Sequence, residues 1–502
     1  MACCPADSRS SERKALLASV VLGLWLCLAL PVFSQEAYYW SYAQHPALSY
    51  YDHPPMTAWL IWLGTHAFGD GALGIRAGTL VCALVVTLAG LSLLRRFGAD
   101  ERARLAWIVL GFGVPMYAAL HFLANPDPPL SAFWALAMLS LWRARDGGLG
   151  WWLLAGLAAG LGLVSKYSAA FLAIGGAVLL WIDPQLRRQL PRPAPWIGVG
   201  VAAVAFLPVV TWNLGNDFES FRFQTGDRFA VAGFGLRWFC QCVGGQFGVV
   251  NPGIVVLLPF ALTWLWRRAR LGDMRARWLL AFGVPMPLFW IGLSLFIHVK
   301  VNWFQPAYLP LLLGVVLWWT EGNGATARPR LCRFARASVI AAVAIVPIAP
   351  LVRLWPQRHG STWSGWQTIA AAALRHGRTV DAEDDRTGNV FYFAASYKDA
   401  AQLQRALTIL GDGTLPAPVL AQNVTGERAL QFDHWHSPSA HLGEHAIFVL
   451  PRPAERAQEI ADCSAHFASV ERVQLVRVVT LGIEVLEAAV FVCHDYRGPD
   501  RK

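Results

Sequence analysis

Apolar runs long enough to cross a bilayer recur along most of this chain, and they constrain its fold more than any other feature. They occupy 15–33, 74–94, 105–121, 128–143, 151–164, 167–182, 196–211, 248–266, 278–297, 304–319 and 336–354. A helix needs about 20 residues to span a hydrocarbon core of ~30 Å. Inside lipid every backbone N–H and C=O has to be satisfied within the segment itself. The runs therefore predict an α-helical polytopic membrane protein with about eleven transmembrane helices. Composition agrees: 55% of residues are hydrophobic and 15% charged, against about 25% charged in soluble domains.

The charges between the runs are sorted. Every second connection is basic, from Arg9, Arg13 and Lys14 before the first run to Arg328, Arg330, Arg333 and Arg336 around the start of the last. Those connections hold twenty-one Lys and Arg in all. The alternating ones hold five: Lys166, Arg222, Arg228, Arg237 and Lys300. Basic connections stay in the cytoplasm. The N-terminus is thus expected inside, and the stretch 34–73 and the C-terminal part outside. The net charge of +10 is then a topology signal and not a nucleic-acid footprint.

From about 356 the chain turns polar and holds no run that could span. Two domains follow: 1–355 in the membrane and 356–502 outside it. Short strands near 388–394, 417–422, 445–450 and 485–493, with helices near 397–410 and 454–462, predict a small C-terminal α/β domain on the periplasmic side. Among nine Cys, only Cys463 and Cys493 are credible disulfide partners, and only if this domain lies outside the cytosol.

The chemistry concentrates on the outer connections. Ser34 to Trp59 reads SQEAYYWSYAQHPALSYYDHPPMTAW, with Glu36, Asp52, His45 and His53 among many rings and no Lys or Arg. Interfacial anchoring explains the rings but not the acids or the His-Pro-Pro turn. Asp127 stands in Asn125-Pro-Asp-Pro-Pro129, where a capping role for the helix that follows accounts for it equally well. Ser165-Lys166-Tyr167 interrupts a run of small apolar residues, and a Lys there either snorkels or meets an anion. Arg222, Arg228 and Lys300 each read singly as anchors. Jointly they form a cationic rim around an acidic loop, with Asn302 close by in sequence.

QEAYYW followed by YYDHPP resembles the first-loop pattern of the GT-C membrane glycosyltransferases, which use polyprenyl-phosphate sugars. The nearest pattern is that of the lipid A aminoarabinose transferases and lipopolysaccharide-core galacturonosyltransferases. The resemblance implies inverting transfer of a sugar from a polyprenyl-phosphate donor. The acceptor would be a cell-envelope glycan or glycolipid (lipid A, core oligosaccharide or another surface glycan) at the periplasmic face of a bacterial inner membrane. It implies catalytic roles for Glu36, Asp52 and Asp127. It implies donor-phosphate contacts from His53, Lys166, Tyr167, Arg222, Arg228 and Lys300, and a divalent metal ion at Asp52 and His53. Partners would be the lipid donor, the acceptor and membrane lipids, with no nucleic acid.

One departure matters. Gln35 stands where that group usually has an Asp, and an amide cannot act as a base. Glu36 is then expected as the base, with Asp127 an essential acid and the alternative base. A transporter or an envelope scaffold with an outer partner-binding domain are the rival readings. A transporter would place its ionisable groups at the midplane, in repeated halves, and a scaffold needs no acid cluster.

Overall fold

The structure is a computed structural model and describes residues 5–226, 233–322, 324–357, 362–383 and 389–499. All eleven apolar runs fall on helices. By length and composition five helices can cross a membrane, or up to eight where a bent pair counts as one span; Leu149–Ser165 and Tyr167–Ile182 are apolar but shorter. The described residues divide into two compact units. One takes in residues 1–27, 53–60 and 76–349, the other 28–52, 61–75 and 350–502.

The first unit is the helical one. Its helix starts are set by proline at the first turn, as in Pro193–Gly215, Pro252–Arg270 and Pro329–Ile345, where the missing N–H is no loss. Side-chain caps do the same elsewhere: Asp100 accepts from the Ala103 N–H and Asp273 from the Arg275 N–H. Breaks are equally local. Val114-Pro115 turns the chain by 79° between Glu101–Gly113 and Pro115–His121, and Leu236–Val249 meets Pro252–Arg270 at 107°. The second bend is held by Asn251, at φ 130°. Its amide donates to the Gly113 carbonyl, and its oxygen accepts from Gly253 N–H and Ser338 Oγ.

Helix Gln305–Thr320 runs through the core of this unit, with every residue from Gln305 to Trp318 buried. Helix Leu149–Ser165 packs on Pro193–Gly215 through Gly156 and Gly160. A Cβ on Gly156 would sit 1.9 Å from the Gly198 carbonyl oxygen. Small residues at this spacing let two backbones approach closely where no hydrophobic drive between helices exists.

The second unit is built on a five-stranded sheet of β1 (Val390–Ala394), β2 (Val419–Leu420), β3 (His445–Pro451), β4 (Phe467–Thr480) and β5 (Ile483–Tyr496), in the order β2-β1-β3-β5-β4. β1 pairs parallel with β2 and β3, while β3–β5 and β4–β5 are antiparallel. Helix Tyr397–Leu410 begins at Ser396, whose hydroxyl accepts from the Asp399 N–H. Helix Ser34–Gln44 belongs to this unit and is buried almost throughout. Its tyrosines do not reach for an interface as anchors would. Tyr38 packs edge-on against Tyr397, Tyr42 against Trp435, and the Gln402 amide donates to the Val32 carbonyl. Residues 34–52 of the acidic, ring-rich stretch are thus a folded part of the C-terminal unit.

His45 stacks on Trp435 at 4.7 Å. Burial holds its imidazole below the ordinary value near 6.5; His436 is held down by burial and then by His45 and His441. The folded unit therefore favours both rings neutral, while the unfolded chain takes up protons near 6.5. Their contribution to stability is complete above that value and is lost as pH falls below it. Hydrogen exchange of the full-length protein in micelles is expected to show faster opening around residues 432–436 between about pH 7.5 and about pH 5.5. His436→Gln is expected to flatten that dependence.

Candidate active site

Asp127 opens helix Asp127–Ala144 and is 3% exposed. Flanking prolines restrict the local backbone, and the Asn125 side chain accepts from the Asp127 N–H at 2.9 Å. Both carboxylate oxygens are engaged from distant parts of the first unit. Lys166 Nζ donates to Oδ1 at 2.7 Å and Asn302 Nδ2 to Oδ2 at 2.7 Å. Lys166 is delivered by the end of helix Leu149–Ser165, where its own backbone is extended at φ −162°. The Gly156–Gly198 contact holds that helix in place. Asn302 comes from the short turn Val301–Phe304 ahead of the core helix.

A cavity of about 260 Å³ opens beside this group, lined by Asn125, Asp127, Asn302 and Gln305 with Met116 and Leu123. Gln305 is 4% exposed, and its Nε2 has no hydrogen-bond partner. A buried donor left unpaired costs about 1–3 kcal/mol, a cost that an acceptor oxygen in this cavity would offset. The sequence reading missed Gln305. Its only signal was a Gln-Pro pair starting an apolar run, which reads first as a helix start.

The other expected residues are placed differently. Tyr167 hydrogen-bonds Ser220 Oγ at 2.8 Å and packs on Phe221, so its hydroxyl braces helix Glu219–Thr225. Arg222 on that helix and Lys300 before Asn302 are exposed. Arg228 lies outside the described residues. His53 is half-buried in the first unit, and Asp52 belongs to the second.

Within the second unit, Asp52 is 6% exposed, and its Oδ1 accepts from the hydroxyls of both Tyr38 (3.1 Å) and Tyr42. Glu36 is fully buried, and its Oε2 accepts from the Phe33 N–H at 2.9 Å, closing the first turn of its own helix. Glu36 thus has a structural task that Asp127 does not share. Among the described residues no three His, Cys, Asp or Glu side chains group closely enough to hold a metal ion. Asp52 already serves two phenols. Asp52 and His53 belong to different units, and no chemical step is assigned to a divalent ion.

Residues 52–212 match the dolichyl-phosphate-mannose-protein mannosyltransferase family. The chain is 31% identical over 313 residues to the lipid A galacturonosyltransferase RgtD of Rhizobium johnstonii, covering 60% of this chain and 64% of that one. It is 31% identical over 285 residues to the undecaprenyl phosphate-alpha-4-amino-4-deoxy-L-arabinose arabinosyl transferase of Pseudomonas aeruginosa, covering 53% of this chain and 49% of the relative. The chain thus spans less than two thirds of the length of each. In fold it is similar to the crystal structure of ArnT from Cupriavidus metallidurans bound to undecaprenyl phosphate, with a TM-score of 0.59 at 16% identity over 95% of this chain and 97% of that one. Residues 52–212, which carry Asp52, Asp127 and Lys166, thus match the dolichyl-phosphate-mannose-protein mannosyltransferase family, within a multi-pass membrane protein whose fold is similar to that of ArnT.

Proposed function

We propose that this chain is an inverting glycosyltransferase that moves a sugar from a polyprenyl-phosphate donor to an envelope glycolipid or glycan. The observation that carries the proposal is the buried Asp127, held by Lys166 and Asn302 beside a cavity that also receives the unpaired Gln305 amide. The named activities of the relatives, transfer to lipid A and transfer of an undecaprenyl-phosphate-linked aminoarabinose, support the donor and acceptor classes.

In this reading an acceptor hydroxyl oxygen bonds to the anomeric carbon as the bond from that carbon to the phosphate oxygen breaks. Asp127 takes the hydroxyl proton, and the electron pair leaves with the lipid phosphate. A single displacement inverts the centre. Protonation of Asp127 weakens its hold on Lys166, which frees an ammonium as charge builds on the leaving phosphate. Lys166, Arg222, Lys300 and Arg228 supply positive charge to that oxygen, and His53 a ring N–H. Glu36 and Asp52 shape the first-loop helix.

The Arg alternation supports a cytoplasmic N-terminus and a periplasmic C-terminal domain in an inner membrane. A phosphatase fused after Trp355 is expected to be active, and activity confined to a cytoplasmic reporter would overturn that orientation. Transfer is tested in proteoliposomes with a radiolabelled polyprenyl-phosphate sugar and a lipid A acceptor. Label that stays on the donor across several sugars and envelope acceptors would sink the reading.

Gln305 gives a finer test. Gln305→Met keeps the volume and removes one unsatisfied donor. KM is expected to rise about tenfold, the worth of one neutral hydrogen bond, while the melting temperature holds or rises. A KM at the wild-type value would take Gln305 out of ligand contact.

A further inference from the structure

A second cavity, of about 400 Å³, lies between helices Glu101–Gly113, Pro252–Arg270, Gln305–Thr320 and Pro329–Ile345 of the first unit. Its walls are apolar, built from residues such as Val109, Leu257, Val315 and Ile340, and its only charged members are Arg102 and Arg336. No carboxylate pairs with either arginine among the described residues; Arg336 lies 5.9 Å over the Trp319 ring. The volume falls within the ~300–1,000 Å³ of ordinary ligand sites. The groove opens sideways, since Val109 is 44% and Ile340 59% exposed. In helix Pro329–Leu354 only 6% of the apolar window is buried inside the protein.

This place is separate from the Asp127 cavity. Gln305 lines that cavity at one end of the core helix, and Trp319 lines this one at the other. Fourteen residues at 1.5 Å per residue put Gln305 and Trp319 about 21 Å apart. The groove also lies toward the Arg-rich connections, while Asp127, Lys166 and Asn302 lie toward the opposite ends of their helices.

We infer that the groove binds one anionic phospholipid, with its phosphate on Arg102 and Arg336 and an acyl chain along the apolar wall. Charge complementarity selects this occupant. A guanidinium forks onto two phosphate oxygens, and basic pockets between membrane helices hold anionic head groups. An uncharged lipid tail would leave both arginines without a partner. The inference does not depend on the transfer reaction.

Native mass spectrometry of the delipidated full-length protein tests it, titrating phosphatidylglycerol against phosphatidylcholine. The first bound phosphatidylglycerol is expected to bind roughly tenfold or more tightly. Arg102→Gln with Arg336→Gln is expected to abolish that preference. Arg270→Gln with Arg333→Gln, which removes equal charge from residues that do not line the groove, is expected to leave it. Val109→Trp with Ile340→Trp fills the groove from exposed positions and is expected to weaken the first binding event. Equal binding of both lipids, or a preference that survives loss of Arg102 and Arg336, would overturn the site. Displacement of phosphatidylglycerol by equimolar undecaprenyl phosphate would overturn the phospholipid as its occupant.

Discussion

Asp127→Asn is expected to lower sugar transfer by about 10²–10⁴-fold, the usual worth of a positioned general base. The substitution keeps the size and part of the hydrogen bonding of a side chain that is 3% exposed, but it cannot take a proton. Donor affinity is expected to hold, so the loss falls on turnover and not on KM. Folding has to be followed alongside, because the change leaves Lys166 without its carboxylate partner and an uncompensated buried charge is costly. A folded Asp127→Asn protein with near-normal turnover would remove Asp127 from the chemistry. Glu36→Gln separates the two acids. An amide oxygen still accepts from the Phe33 N–H that Glu36 now caps, so turnover is expected to change little. If Glu36→Gln instead costs as much as Asp127→Asn, Glu36 is the base, and Gln35→Asp in that background asks whether a carboxylate one position earlier restores it.

The second large effect concerns stability. Cys463 on helix Ala457–Ala465 and Cys493 on β5 are fully buried, with their sulfurs 3.7 Å apart. Burial and the neighbouring Cys463 raise the Cys493 thiol above its usual range, so that thiol stays protonated until it is oxidised. If the unit folds in the periplasm, an exported thiol–disulfide oxidoreductase takes two electrons and two protons from the pair as the S–S bond forms. Closing a loop of about 30 residues stabilises the fold by about 3–4 kcal/mol in the chain-entropy account. Protein made in the membrane of living cells is expected to yield a linked Cys463–Cys493 peptide pair under denaturing alkylation, separated only after reduction. The Cys463→Ala, Cys493→Ala protein is expected to melt earlier. Two alkylated thiols in unreduced protein would place this unit in a reducing compartment.

How much of this was legible beforehand differs from element to element. The apolar runs were legible because lipid makes the rule local: each segment has to close its own hydrogen bonds, and composition alone reports that. Helix Tyr397–Leu410 and strands β1 and β3 were legible for a similar reason, being short and well patterned. β4 was not read as a strand. Its sequence, FASVERVQLVRVVT, is half-exposed and charged, as an edge strand has to be. Helix Trp366–Glu383 was also unread, since alanine and glycine supply four of its seven buried residues.

At the site, sequence alone determined the residue types and their boundaries. It supplied a carboxylate between prolines, a lysine at a helix end and an aromatic acidic stretch after the first run. Only the tertiary structure decided what these residues do to one another. Lys166 is 39 residues from Asp127 and Asn302 is 175 away, and no local pattern encodes that they end on opposite oxygens of one carboxylate. The packing of Gly156 against Gly198 and the burial of the core helix bring them there. The same holds for Glu36, whose carboxylate the fold also engages with the Phe33 N–H. Hydrogen-bond partners are settled by which backbones can approach, and that is a property of the packed chain.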